Sequence, residues 1–508
     1  MDILSRNLIE EKGKNLIKIP TGPVNKFPEK VLQFGEGNFL RGFVDWMINS
    51  LNTKGLFNGS VAVVQPIKSG LIDKINQQGG TYTLILRGVQ NGKIINSKEI
   101  ITSISRGIDL YAHYDEYMKL AESADLRFII SNTTEAGISY NPEDKLQDKP
   151  PASYPGKLTA LLYRRFKAFG GDKEKGLIII PCELIDRNGD NLKKIVLQLA
   201  DEWKLGSDFI NWIKGANYFL NTLVDRIVTG YPKEEVQTLE EELGYRDCLL
   251  DTGEIFHLWV IEGDSKLAKE IPFEEAGLNV IWTDNMKPYR DRKVRILNGA
   301  HTMTVLAAYL YGLDTVKECM DDKLINTYMK KGIFDEIIPT LDLKEEELVK
   351  FAHDVLERFS NPFIKHYLLS ISLNSVSKFK ARVLPSLQEY VERKGKLPEI
   401  LTFSLASLMA FYKGNEINDN YLSGERKGAE YKICDDMNIL EAFRDSWAAF
   451  DGTKAGIDAL VAGILSKTEW WGSNLNEIPG LSEKAAEYLF SITENGMEAA
   501  LKKLVIGN

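Results

Sequence analysis

The chain has 508 residues, with 63 Lys and Arg against 72 Asp and Glu, a net charge of −9. At 44% hydrophobic residues it is too apolar for a disordered chain, and at about 150 residues per domain it has room for two or three cored domains. The acidic balance argues against nucleic acid, whose phosphates are met by clustered Lys and Arg, while a small anion can still be held by one local basic pocket.

The N-terminus, MDILSRNLIEEKGKNL, is charged throughout and lacks the apolar stretch of a secretory signal. No window reaches the roughly 18 apolar residues of a membrane span, so no membrane partner is expected. Cys182, Cys248, Cys319 and Cys434 are too widely spaced for a disulfide framework or a zinc ribbon. Reduced thiols and a cytoplasmic location are the expectation. No pattern marks an oligomer interface.

Five β-rich runs occupy the first half: VLQFG (31–35), VAVVQP (61–66), TYTLILRG (81–88), RFIISN (127–132) and GLIIIPCE (176–183). Runs this apolar, bounded by Gly, Pro and Asn, suit strands buried on both faces of a parallel sheet. GKLTALLYRRFKAFGG, between the last two, has helical periodicity and a Gly pair as its stop. The alternation predicts a doubly wound, Rossmann-like dinucleotide-binding domain over 1–286. From about Lys287 apolar residues recur three and four apart, as in KEEELVKFAHDVLERF and EILTFSLASLMAFYKG, which predicts a mainly α-helical domain over 287–508. GNEINDNYLSGERKGAEYK (414–432) reads as a polar surface excursion.

Directly after the first run comes Gly35-Glu36-Gly37-Asn38-Phe39-Leu40-Arg41, followed by the helical pattern GFVDWMINSLN. Strand, Gly-x-Gly turn and helix are the parts that let a pyrophosphate meet backbone N–H groups, though Leu40 replaces the third glycine and the segment also fits an ordinary glycine turn. The second run ends in Gln65-Pro66, without the acid that takes the adenosine ribose hydroxyls. The fourth runs into the polar loop Ser131-Asn132-Thr133-Thr134-Glu135, at a carboxyl edge of the expected sheet.

Lys293, Asn298 and His301 open the helical domain. At about 100° per residue Asn298 and His301 are about 60° apart, and Lys293 about 80° from His301 and 140° from Asn298, one broad face. A desolvated Lys can move a proton near neutral pH, an Asn amide can donate to an oxygen gaining charge, and a His can orient either partner. The same residues also fit an exposed first turn with satisfied polar groups behind it. His353 and Glu357, four apart, lack a third metal ligand and read as a solvated helix face, so no metal is expected.

Taken together, LQFGEGNFLRGFVDW, SNTTEAG, PCELIDRNGDNL, FLNTLVDRIVTGYP, KVRILNGAH and RFSNPFIKHYLLSISLNSVSKFKARVLPSL resemble the polyol-specific long-chain dehydrogenase/reductase family, that of the mannitol dehydrogenases. The resemblance implies an oxidoreductase passing hydride between NAD(H) and a sugar-acid carbonyl, reducing D-tagaturonate to D-altronate reversibly, in a cleft between two domains. Fructuronate- or mannitol-type activity, or a nucleotide-binding sensor without turnover, are the alternatives.

Carried over by motif, Lys293 is the general acid/base, Asn298 the donor to the reacting oxygen and His301 a substrate-positioning residue. Asp225, Arg226 and Lys378 fall at the substrate, the charge of Lys378 suiting a carboxylate. Phe34, Gly35, Gly37, Asn38, Phe39, Arg41, Gln65, Thr133, Thr134 and Glu135 fall at NAD(H). Mannitol-type members carry a second oxyanion-hole Asn just after a Cys-acid pair; here Leu184 follows Cys182-Glu183, and Asn188 is the substitute.

Overall fold

The computed structural model describes residues 1–12, 20–134 and 136–507. The chain divides into two compact units, one of Met1–Arg87 and Ile94–Met286, the other of Gly88–Lys93 and Lys287–Asn508.

The first unit is built on a six-stranded sheet. Its strands are β1 (Glu29–Phe34), β2 (Ser60–Gln65), β3 (Ile104–Asp109), β4 (Phe128–Ser131), β5 (Ile178–Pro181) and β6 (Tyr218–Phe219). They lie in the order β3-β2-β1-β4-β5-β6, and every pairing is parallel. This is the doubly wound order, whose switch point falls between β1 and β4.

β2, β4 and β5 are buried at every position, and their side chains alternate between two cores. Val61, Val63, Phe128, Ile130, Ile178 and Ile180 face one core, Ala62, Val64, Ile129 and Ile179 the other. A β-branched run with a core on each side gains about 1.5–3 kcal/mol per large side chain buried, which is why these segments could be recognised without alternation. The Tyr154–Ala168 helix covers one face, started by Ser153, whose hydroxyl accepts from the Gly156 amide, and stopped at Gly170 and Gly171, both at positive φ.

Two expectations are corrected here. TYTLILRG does form a strand, Tyr82–Gln90, but outside the parallel sheet: it lies between Asp251–Glu254 and Lys93–Ile101 in a separate three-stranded sheet. The place expected for it belongs to β3, ISRGID, an edge strand only partly buried and so without a continuous apolar run. The Asn91-Gly92 turn that ends Tyr82–Gln90 is grouped with the second unit, where both amides donate to the Glu357 carboxylate at 3.1 and 2.8 Å. Glu357 therefore serves as an acceptor for this turn.

The second unit is mainly helical. Its Gly299–Tyr311 and Glu399–Phe411 helices are buried nearly all round, whereas Glu345–Phe359 keeps a polar face. The segment read as a polar excursion is a three-stranded antiparallel sheet, Gly414–Asn418, Tyr421–Arg426 and Ala429–Ile433. Its Lys427-Gly428 turn has both residues at positive φ, and only Gly414 on the first strand and Leu422, Gly424, Tyr431 and Ile433 on the last two are buried, which left a largely polar sequence. Among the described residues no helix is long and apolar enough to cross a membrane, and no three His, Cys, Asp or Glu side chains could hold a metal ion.

Candidate active site

In the first unit the turn after β1 and the loop after β4 meet. Gly35 has φ +117°, and a Cβ there would stand 3.0 Å from the Asn132 carbonyl oxygen, so the first glycine serves both conformation and close approach. Gly37 faces open space and caps the following helix without a side-chain bond. The helical run then passes through a π-helical turn, Arg41–Asp45, into Trp46–Thr53. An open glycine before a helix start at the switch point fits a dinucleotide pyrophosphate.

An acid does stand beside Gln65 at the tip of β2, and it comes from the Gly-x-Gly turn after β1. The Glu36 carboxylate accepts from the Leu71 amide, and Glu36 and Gln65 side-chain oxygens close together on Gly70 so tightly that no Cβ would fit. Burial pushes Glu36 above the usual carboxylate range. Sequence reasoning did not single out Glu36, because an acid was sought after β2 and not between the two glycines.

Other side chains assigned to the cofactor support the loops. Phe34 lies in the core against Tyr117 and Tyr154, and Phe39 stacks on Phe43 at 5.0 Å. The buried Arg41 guanidinium donates to the Glu36 carbonyl (3.2 Å), to Asn38 Oδ1 (2.6 Å) and to the Leu249 carbonyl, bracing the turn from behind. Glu183 plays the same part for the second loop, accepting from Ser131 Oγ at 3.0 Å and from the Thr133 amide and hydroxyl at 2.9 and 2.8 Å. Thr134 holds φ +83°, and Glu135 lies outside the described residues.

Asn188 does not fit the role of oxyanion donor. It is fully buried, its Nδ2 donating to the Pro181 and Glu183 carbonyls at 3.0 and 3.1 Å and its Oδ1 accepting from the Thr222 and Gly189 amides at 2.9 Å each. An amide so committed has nothing left for a substrate oxygen. Arg226 is likewise spent: it donates to the carbonyls of Gly42 and Glu254 at 2.6 and 2.9 Å, stacks over Trp46, and is pushed down to about 9 by burial. Asp225, also buried, pairs with Leu258 across the neighbouring strand.

In the second unit Lys293–Asn298 is a π-helical stretch leading into the Gly299–Tyr311 helix. The α-helical angles expected for it are corrected accordingly. An i→i+5 ladder places residues five apart nearly one turn above each other, so Lys293 and Asn298, both half-buried, come to one side rather than about 140° apart. His301 stacks on Phe359 at 4.2 Å, and His366 stands across it at 5.1 Å. Its Nε2 is buried without a partner. Burial first, then His366, Arg358, Arg382 and Lys378, hold the imidazole neutral, well below its usual pKa. Lys378, on the Ser375–Arg382 helix, donates from Nζ to the Ile371 carbonyl at 2.9 Å.

Two family models together match most of the chain. The Rossmann-domain model of mannitol dehydrogenases matches residues 29–275, and their C-terminal-domain model matches 285–493. The chain is 49% identical to the altronate oxidoreductase of Bacillus subtilis (strain 168), covering 95% of this chain and 96% of that one. It is 48% identical to the altronate oxidoreductase of Escherichia coli O6:K15:H31, over 95% and 98%. Among solved structures it is similar in fold to a substrate-free D-sorbitol dehydrogenase (TM-score 0.79, 20% identity, 99% of this chain and 100% of that one). A second is Pseudomonas fluorescens mannitol 2-dehydrogenase in a ternary complex with NAD and D-mannitol (TM-score 0.65, 21% identity, all of both chains).

Proposed function

The chain belongs to the mannitol dehydrogenase family, and from that premise we propose that it is an NAD-dependent oxidoreductase interconverting D-tagaturonate and D-altronate. The observation that carries the substrate is the 49% identity to an altronate oxidoreductase over 95% of the chain.

Bound NAD(H) supplies or accepts the hydride at the carbonyl carbon. Gly35 and Gly37 hold its pyrophosphate, with Thr133 and Thr134 on the opposite loop. Glu36 accepts from the ribose hydroxyls; a buried carboxylate there repels a 2′-phosphate, which favours NAD over NADP. Asn298 donates its amide to the substrate oxygen, holding the charge that develops as the carbonyl is reduced. The Lys293 ammonium gives that oxygen its proton, so each reduction consumes one hydride and one proton; in oxidation the amine takes the proton back. Neutral His301 offers Nε2 to a substrate hydroxyl. The four cysteines are free thiols, in keeping with a cytoplasmic enzyme.

The test is NADH oxidation followed at 340 nm with D-tagaturonate, D-fructuronate and D-fructose, repeated with NADPH for the best substrate. Turnover fastest on tagaturonate with NADH is the expected result. A faster rate on either other ketose moves the substrate, and NADH binding without turnover on all three removes the catalytic reading.

A further inference from the structure

The titratable groups that act on the buried His301 imidazole are basic. His366, Arg358, Arg382 and Lys378 each oppose its protonation, and no carboxylate is among them. Two of these, Lys378 and Arg382, are four residues apart on the Ser375–Arg382 helix and so lie on one face, an arrangement that like charges disfavour. The end of that helix abuts the turn carrying the catalytic candidates. A Cβ on Gly299 would stand 3.0 Å from the Arg382 carbonyl oxygen, which sets the Arg382 backbone beside the segment joining Asn298 to His301.

For Lys378 and Arg382 the balance of charge is one-sided. Arg382 is half-buried, and its pKa is lowered by that burial with no acid opposing the shift. Lys378 is lowered by burial and then by Arg382 itself; Asp435 opposes this, but its carboxylate is also engaged by the Tyr412 hydroxyl and, at 3.3 Å, by the Val376 amide. Two partly desolvated cations sharing one acid that is engaged elsewhere cost stability unless an anion joins them. The planar guanidinium can take a carboxylate through two parallel N–H···O bonds, which an ammonium cannot.

We infer that Arg382, with Lys378 on the same helix face, binds the carboxylate of the sugar acid and is the residue that makes this site prefer uronates to neutral ketoses. This rests on the function proposed above. It assigns to Arg382 a specificity role and leaves proton transfer with Lys293.

The experiment is steady-state kinetics of the full chain and of Arg382→Gln and Arg382→Lys, using D-tagaturonate and D-tagatose, the same ketose with CH2OH in place of the carboxylate. The wild type should favour the uronate in kcat/KM. Arg382→Gln should raise KM for tagaturonate about tenfold or more, leave KM for NADH unchanged, and leave tagatose kinetics nearly as they were, so that the preference shrinks. Arg382→Lys should recover part of the loss. An unchanged KM for tagaturonate, or equal losses on both ketoses, would overturn the assignment. A wild type that shows no turnover of tagaturonate fails the underlying functional reading instead, before any variant is made. Circular dichroism of Arg382→Lys, the variant that keeps the charge, guards against a folding defect being taken for a binding one.

Discussion

In the first unit the polar side chains behind the nucleotide loops are spent on the chain itself. Asn188 fills its donors and acceptors with four backbone groups, Arg41 braces the Gly-x-Gly turn, and Glu183 ties down Ser131 and Thr133. In the second unit His301 Nε2 has no partner, and Lys378 and Arg382 share one helix face. The difference is the one that the proposed ligands would call for. A dinucleotide is met largely by backbone N–H groups and by space, so side chains there must make the loops rigid. A small sugar acid is met by side chains, which must be left incompletely satisfied to have anything to offer it.

Breaking the reactive half should have the largest effect. Lys293→Met is expected to lower kcat by about 10²–10⁴-fold, the usual worth of a positioned acid/base, while NADH binding followed by fluorescence titration stays intact. A variant with wild-type turnover would remove Lys293 from the chemistry.

The scaffold half should answer in stability instead. Asn188→Ala strands two carbonyls and two amides in the interior and should cost on the order of 3 kcal/mol, read as a lower denaturant midpoint, with kcat of the folded enzyme little changed. A fall in kcat at unchanged stability would return Asn188 to the oxyanion hole.

Glu36→Gln sharpens the comparison at an exception, a side chain of the first unit proposed to meet the cofactor. The variant keeps the shape but loses the charge, so KM for NADH should rise about tenfold or less and the discrimination against NADPH should narrow. Equal KM values for both nucleotides before and after the change would place cofactor choice elsewhere.

How much of this could be read in the chain depends on how local each signal is. β2, β4 and β5 announce themselves because burial on both faces demands an unbroken apolar run. β3 does not, being a partly buried edge strand, and Tyr82–Gln90 carries a strand's pattern without naming the sheet that receives it. The antiparallel sheet of Gly414–Ile433 was hidden by its short strands and polar turns. Lys293, Asn298 and His301 were visible as a motif, but their mutual direction was not, since a π-helical turn has the same composition as an α-helical one.

What the sequence by itself determined was therefore the local grammar: a Gly-x-Gly turn between a buried strand and a helix, a Lys-Asn-His spacing at the start of a buried helix, and a change from strand to helix texture near Lys287. Only the tertiary structure decided which polar groups were already spoken for. The Asn188 amide is engaged by Pro181 and Thr222, and Glu36 stands at the tip of a strand that does not carry it. Hydrogen bonds and desolvation act between groups close in space, and a chain's order fixes such neighbours only after it has folded.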